Sequence, residues 1–486
     1  MYQVTVNNKI SLSYTEELCL SEILSRCGLL ISVPCGGQGV CGKCKVIAQG
    51  SLSPLTETER NHLTQQEIAQ GFRLACVARA TGDVSITAEE IPQVVEIDFS
   101  MEHCNISHDF TDGLVIDIGT TTIAAVLYRN KKPSKIITEV NYQTSYGADV
   151  ITRIAAERDH SGVLYSLLQH QIENMIAACN YPKNTVIVAN TVMLHFLTGQ
   201  NVLPLGEAPY QTADLFGKTY PLFGTTCYLA PCISAFVGGD ITAGILASRM
   251  TEKEESAMLV DLGTNGEIAY YNKNKLFTAS TAAGPAFEGA GIFMGMPAKA
   301  GAINSVSLTN GTITYTTVGN TKPKGICGSG IIDALAVMKQ TGILEESGAF
   351  LEEHPLCSLD FHGRPCFRIP GTEVILTRED IRALQLAKGA IHAGMLTLAK
   401  QVDTLYLSGG FGSKIKIENA EYIGLLPKHF AKTTVALGNT ALCGGVLALF
   451  SKEERRKLSE IAAMSQSVLF HQNPDFTDRY IEAMLF

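Results

Sequence analysis

The sequence lacks an excess of positive charge, a long apolar run and a leader-like N-terminus. Lys and Arg total 38 against 47 Asp and Glu, a net charge of −9. Nucleic acid is therefore excluded as the main partner, because phosphate binding needs a basic surface. A protein partner with a basic face stays open. No apolar run reaches the length that spans a bilayer. The longest, around residues 437–450, contains several Gly and an Asn and is expected to be a buried helix. The N-terminal MYQVTVNNKI has neither the basic nor the apolar stretch of a secretory signal. A cytoplasmic location and no membrane partner are expected. There is no P-loop, no GxGxxG fingerprint and no His-x3-His pair, which disfavours those nucleotide folds and leaves no His-based zinc or haem site implied. What remains is a chain of 486 residues, 46% hydrophobic and 17% charged, which reads as several folded units with fourteen cysteines. In a reducing compartment those are expected to be thiols and metal ligands rather than disulfides.

Residues 1–90 read as a small β-rich unit. Residues 3–6 and 10–13 form a hairpin pattern around Asn7–Asn8. Residues 20–27 predict a short helix ending at Gly28, residues 45–48 and 84–87 predict strands, and Thr56 with Glu59 predicts a capping box. Residues 91–112 read as an acidic linker. From Gly113 onward apolar strands (114–118, 186–189, 258–262, 404–407) alternate with helical stretches (147–158, 164–179, 241–249, 328–340, 378–401), the signature of α/β units. LVIDIGTTTIAAVLY from Leu114 is echoed by LVDLGTNGEIAYY from Leu259. Two related halves facing each other are expected, with boundaries at 113–240 and 241–486 and a helical tail at the end.

The most specific motif is Cys35-Gly-Gly-Gln-Gly-Val-Cys41-Gly-Lys-Cys44, with Cys76 in RLACVAR. Three thiolates in one loop and a fourth from afar suit the four-thiolate shell of a [2Fe–2S] cluster. Gly36, Gly37, Gly39 and Gly42 allow the tight wrapping this needs. Structural zinc would more often use two Cys-x2-Cys knuckles, and only one is present. Cys19, Cys27, Cys179, Cys232, Cys327 and Cys443 read as core or near-core residues, and Cys357 and Cys366 as free thiols. The unit resembles the β-grasp [2Fe–2S] ferredoxins, with one extra residue in the C-x5-C spacing.

Three further motifs follow strands. Asp117-Ile-Gly119-Thr120-Thr121-Thr122 can offer N–H and hydroxyl groups to phosphate oxygens, with Asp117 on Mg²⁺ through water. Asp261-Leu-Gly263-Thr264-Asn265-Gly266 could grip phosphates from the other side. Ser408-Gly409-Gly410-Phe411-Gly412 could let an adenosine lie against the backbone. Together they resemble the ASKHA superfamily of actin, sugar kinases and Hsp-type chaperones. The resemblance implies Mg–ATP between Asp117 and Asp261, adenosine at Gly409 and Gly410, and Asp240 facing the metal and γ-phosphate. Asp240 also reads as the N-cap of the helix after it.

The whole layout resembles the reductive activators of corrinoid-dependent methyltransferases. Ser280-Thr-Ala-Ala-Gly-Pro-Ala-Phe-Glu-Gly289 and Gly325-Ile-Cys-Gly-Ser-Gly330 are loops typical of that family. The resemblance implies an α+β and α/β multidomain chain, a β-grasp ferredoxin domain followed by a two-lobed ASKHA domain. It implies ATP-dependent return of a Co(II) corrinoid to Co(I), a corrinoid-protein partner, an external low-potential electron donor and a homodimer. Residues 280–291 are expected to face the corrinoid, or else Pro285, Phe287 and Glu288 merely shape a turn. Asp240, Ser280 and Glu288 are the candidate catalytic residues. Competing readings are an activator of another low-potential enzyme such as a 2-hydroxyacyl-CoA dehydratase, a small-molecule kinase with a redox sensor, and a non-catalytic scaffold.

Overall fold

The computed structural model describes residues 2–27, 29, 31, 33, 35, 37–88, 109–410 and 412–486. Gly28, Gly36, Phe411 and residues 89–108, which include most of the expected linker, lie outside the described residues. The linker's last residues are bonded to the body: Asp109 N–H donates to the Phe450 carbonyl at 2.8 Å, and its carboxylate accepts from Lys452 N at 2.7 Å.

The first unit is a β-grasp sheet. Tyr2–Val6 and Ile10–Tyr14 pair antiparallel. Residues 7–9 join them: Asn7 and Asn8 both take positive φ, and Lys9 N closes the turn on the Val6 carbonyl at 3.0 Å. Arg79–Thr87 lies parallel to Tyr2–Val6 and antiparallel to Lys45–Leu52, which pairs with Phe72–Leu74 at the edge. Helix Leu20–Arg26 buries Leu20, Ile23 and Leu24 against Val4, Val6 and Ile86. The capping box at Thr56 and Glu59 is present, and a second stands at Thr64 and Glu67. Glu59 is also fully buried and forked onto Arg73, with Oε1–Nε at 2.7 Å and Oε2–NH2 at 3.0 Å. Its Oε1 accepts from Leu74 N at 3.2 Å. One carboxylate thus fixes the strand that leads into Cys76.

The internal echo becomes two matching sheets. In the first, Gly113–Ile118, Thr122–Arg129 and Lys132–Val140 form an antiparallel meander, and Thr185–Ala189 and Thr225–Leu229 add in parallel on the other side. In the second, Ala257–Leu262, Gly266–Asn272 and Lys275–Thr281 form the meander, and Val402–Ser408 and Ala431–Gly438 add in parallel. Helices Gly239–Ser248 and Thr440–Phe450 cross between the two sheets. Their apolar residues share one core with Val115 and Val188 of the first sheet and Leu259 and Ala269 of the second. The crossing is close because of glycine: a Cβ on Gly444 would lie 2.0 Å from the Ala243 carbonyl oxygen. The second lobe carries an insertion with helix Gly328–Thr341 and two small sheets before helix Arg378–Leu398. No helix among the described residues is long and apolar enough to cross a membrane.

Two local expectations need correction. Residues 437–450 are not one helix. The edge strand runs to Gly438, whose φ of 69° turns the chain, and Asn439 caps a helix that begins at Thr440. Nor is Asp240 an N-cap. Gly238 holds that position, because a Cβ there would meet Asn190 Cα at 2.6 Å, and Asp240 sits inside the first turn with Oδ1 accepting from Ile241 N at 2.8 Å.

Candidate functional site

Two sites stand in this frame, one of thiols and one of carboxylates and hydroxyls. The antiparallel pairing of Lys45 with Leu74 brings Cys44 beside Cys76, their Sγ atoms 3.3 Å apart. Cys41 and Cys35 form a second pair at 3.4 Å. Both separations lie far beyond the ~2.04 Å of a disulfide. Gly39 and Gly42 have positive φ, and a Cβ on Gly42 would press on the His62 ring at 3.0 Å, so the loop can wrap this tightly only with glycine there. Cys44 and Cys76 are buried, while Cys35 and Cys41 are half-buried. Bonds from Cys41 and Cys76 push the Cys35 thiol down, and Cys35 in turn pushes both of those up. Four thiolates this close cannot all ionise without a cationic centre to neutralise them. The four sulfurs fit a dinuclear cluster held by two pairs. No disulfide forms among the described cysteines, and Cys357 and Cys366 are not paired with each other.

The second site lies between the lobes. The hairpin at 118–122 closes with Gly119 N on the Thr122 carbonyl at 3.0 Å, and a Cβ on Gly119 would meet that same oxygen at 2.7 Å. The hairpin at 262–266 is its counterpart, with Gly263 N on the Asn265 carbonyl at 3.2 Å. The two meet: Thr120 Oγ1 donates to Thr264 Oγ1 at 3.3 Å. Glu288 joins them, its Oε2 accepting from Thr264 at 2.8 Å and Thr121 at 3.3 Å. The Gly409 turn abuts the second hairpin, since a Cβ there would sit 2.4 Å from the Leu262 carbonyl, while Gly410 faces open space. Gly412 N closes this turn on the Gly409 carbonyl at 3.2 Å. The structure therefore gathers Asp117, Gly119, Thr120, Thr121, Thr122, Asp261, Gly263, Thr264, Asn265, Gly266, Gly409, Gly410 and Gly412 around the two touching hairpins.

Its electrostatics are one-sided. Burial pushes the Asp117 carboxyl up to about 6, against an opposing hydrogen bond from Asn439 Nδ2 at 2.8 Å. Burial and then the Asp261 charge push Asp240 up to about 7. Burial raises Asp261 too, eased by Ser408 Oγ at 2.6 Å, and it raises Glu288. Glu267 lies opposite Asp261 in the ladder and Ser280 lies opposite Glu267, so Ser408, Asp261, Glu267 and Ser280 form one row on the same face. Burial, then Asp240 and Asp261, hold Glu267 well above the carboxylate range. Among the described residues no three His, Cys, Asp or Glu groups converge on one point as direct ligands of a single ion.

Sequence reasoning passed over Glu267, Asn439 and Arg153. Asn439 carried a visible signal, an Asn before an apolar helix, and its Oδ1 does cap Leu442 N at 2.7 Å. Its second bond, to a residue 322 positions away, had none. Arg153 is fully buried, pushed down to about 9 by that burial, and donates to the Thr120 and Gly147 carbonyls. It braces the first hairpin from behind.

A ferredoxin-type thiol pocket joined to a body of two matching sheets defines the class: a two-part protein with a β-grasp iron–sulfur-type unit and a two-lobed α/β domain. Comparisons with known proteins narrow it. Residues 4–81 match the 2Fe-2S iron-sulfur cluster binding domain, residues 112–253 the RACo middle region, and residues 255–486 the C-terminal domain of RACo, the ASKHA domain. The chain is 30% identical to the corrinoid activation enzyme RamQ of Eubacterium limosum, over 97% of each chain. It is 28% identical, over 53% of its length and 50% of the relative's, to the [Co(II) methylated amine-specific corrinoid protein] reductase of Methanosarcina barkeri. Among solved structures, the reductive activator for corrinoid, iron-sulfur protein superposes with a TM-score of 0.69 at 26% identity, covering 100% of this chain and 98% of the other. The chain belongs to the RACo family of corrinoid activators. The family regions divide at 253 and 255, whereas the sequence reading divides the halves at 240 and 241.

Proposed function

We propose that this protein is an ATP-dependent reductive activator of a corrinoid protein, passing one electron that takes the corrinoid cobalt from Co(II) to Co(I). Cys35, Cys41, Cys44 and Cys76 would hold the [2Fe–2S] cluster, whose chemistry is one-electron transfer near about −400 mV for a plant-type centre. The half-buried pair Cys35 and Cys41 is the solvent side of the pocket and the natural exit for the electron. An external low-potential donor reloads it.

One observation carries the nucleotide half of this reading: the two hairpins touch through Thr120 and Thr264, and Glu288 bridges them. Hydroxyls and backbone N–H groups at 118–122 and 262–266 bind phosphate oxygens from both lobes. Asp117, Asp240 and Asp261 are the carboxylates that would hold Mg²⁺, which would neutralise phosphate charge there. Glu267 and Ser280 extend the same row, and Gly409 and Gly410 lie at the adenosine. Binding energy spent on lobe closure can offset an uphill transfer by shifting a conformational equilibrium.

The test is anaerobic. The reduced protein, a Co(II) corrinoid protein and Mg–ATP should give the Co(I) absorption band. Equal Co(I) formation with and without ATP would remove the nucleotide from the reading, and none at all would remove the reading itself.

A further inference from the structure

The cluster-bearing unit is docked against both lobes. On the first lobe, Ser145 Oγ donates to the Ile31 carbonyl at 3.3 Å. On the second, His362 Nε2 lies 3.1 Å from the Asn61 carbonyl, and the Lys43 ammonium donates to two successive carbonyls, Ile292 and, at 2.7 Å, Phe293. Lys43 stands in the cysteine loop itself, between Cys41 and Cys44.

Two of these docking points, Ser145 and the Ile292–Phe293 pair, are a short walk from the nucleotide hairpins. Ser145 follows Asn141, which grips the first hairpin twice: Nδ2 on the Gly119 carbonyl and N on the Thr121 carbonyl, both at 2.9 Å. Ile292 and Phe293 follow Glu288, which grips both hairpins. The connection from Glu288 is short and stiff in part. A Cβ on Gly295 would lie 2.2 Å from the Gly289 carbonyl oxygen, so the two ends of this loop pack on each other. Asp380 Oδ1 pins Phe293 N at 2.6 Å. With Phe293 pinned, a shift of Glu288 is passed along residues 290–292: Gly291 (φ 78°) faces open space and can turn, and the Ile292 carbonyl, which also accepts from Gly295 N at 3.0 Å, turns with it.

We propose that Lys43 is a positioning residue that latches the cluster unit to the second lobe, and that nucleotide entering between Thr121 and Thr264 opens the latch by displacing Glu288. This rests on the nucleotide site proposed above. A phosphate takes the two threonine hydroxyls that Glu288 holds and repels its carboxylate. Ile292 then turns away, Lys43 keeps at most one carbonyl, and lobe closure changes the span the unit must bridge between Ser145 and His362. The unit is freed to present the Cys41 edge to its partner.

Hydrogen exchange on the cluster-loaded protein reads this directly. A non-hydrolysable ATP analogue should speed exchange of amides 38–45 several-fold in the unaltered protein. Lys43→Ala should exchange fast already and gain nothing from nucleotide, Lys43→Arg should behave as the parent, and visible absorption checks that the cluster is retained in each. Unchanged exchange of 38–45 at a nucleotide concentration that calorimetry shows to be saturating overturns the latch, and needs no variant. Absence of nucleotide binding by calorimetry overturns instead the reading on which it rests.

Discussion

Asp261 stands directly opposite Glu267 in the antiparallel ladder, two carboxylates side by side at the floor of the cleft. Like charges in that register are destabilising. The fold tolerates them because burial raises the Glu267 carboxyl well above the carboxylate range, which favours its neutral form, and Ser408 serves Asp261. A cation bound beside them would favour the ionised forms instead.

The pH dependence follows from its sign. Asp117, Asp240 and Glu267 have folded pKa values raised above their unfolded values, so the fold prefers them protonated. Their contribution is fully present below about pH 4 and is lost as pH rises through about 6 for Asp117 and about 7 for Asp240. The nucleotide-free protein should therefore lose several degrees of melting temperature between pH 5 and pH ~7.5. Mg–nucleotide should restore it, and Glu267→Gln should flatten the profile. Thermal melts across pH, with and without nucleotide, check this.

Asn439→Ala removes two bonds at once, the cap on Leu442 and the donor to Asp117. The expected cost is about 1–3 kcal/mol of stability. Asp117 should titrate still higher, and nucleotide affinity should fall at pH 6 more than at pH 8. Calorimetric binding at the two pH values measures this.

Cys44→Ser or Cys76→Ser should abolish the visible absorption and iron content of the cluster, whereas Cys357→Ser should leave both intact. Stripping iron from the parent protein with a chelator should loosen residues 35–76 and spare the melting of the two lobes. Circular dichroism and limited proteolysis distinguish the two regions.

Glu59→Gln leaves the Arg73 guanidinium buried beside a neutral partner. Removing one member of such a pair costs on the order of 3–5 kcal/mol, and here it falls on the strand into Cys76. The cluster should be lost several-fold faster on standing, read from the decay of its absorption. The parent Glu59 is held below the carboxylate range, against burial, by Arg73 and backbone donors. Its stabilisation is present above its unfolded pKa and disappears as pH falls through the lower folded value.

Gly444→Ala would set a methyl group 2.0 Å from the Ala243 carbonyl oxygen. The two crossing helices must part, at about 1–3 kcal/mol for overpacking. Because they join the lobes, nucleotide affinity should drop although no cleft residue is touched. Binding calorimetry beside a melt separates this from simple unfolding.

The local chemistry was legible in the sequence. The three-cysteine loop at 35–44, the repeated Asp-x-Gly-Thr hairpins and the Thr56 capping box are each written within a few residues, because spacing and residue type alone limit what such a segment can bind or cap. Where short-range reading failed, a neighbour distant in sequence intervened. Asp240 yielded its expected cap position to Gly238 because Asn190 leaves no room for a Cβ. The helix expected over 437–450 starts late because its first residues belong to an edge strand paired with residues 402–408.

The sequence by itself determined that this chain joins a three-cysteine loop to a pair of Asp-x-Gly-Thr hairpins, since each is a local motif whose backbone and side-chain demands lie within a few residues. Only the tertiary structure decided how the two communicate. Glu288 on both hairpins, Asn439 on Asp117 and Lys43 on Ile292 and Phe293 are contacts between residues 24 to 322 positions apart. Sheet register and helix crossing create those contacts, and no periodicity along the chain encodes them.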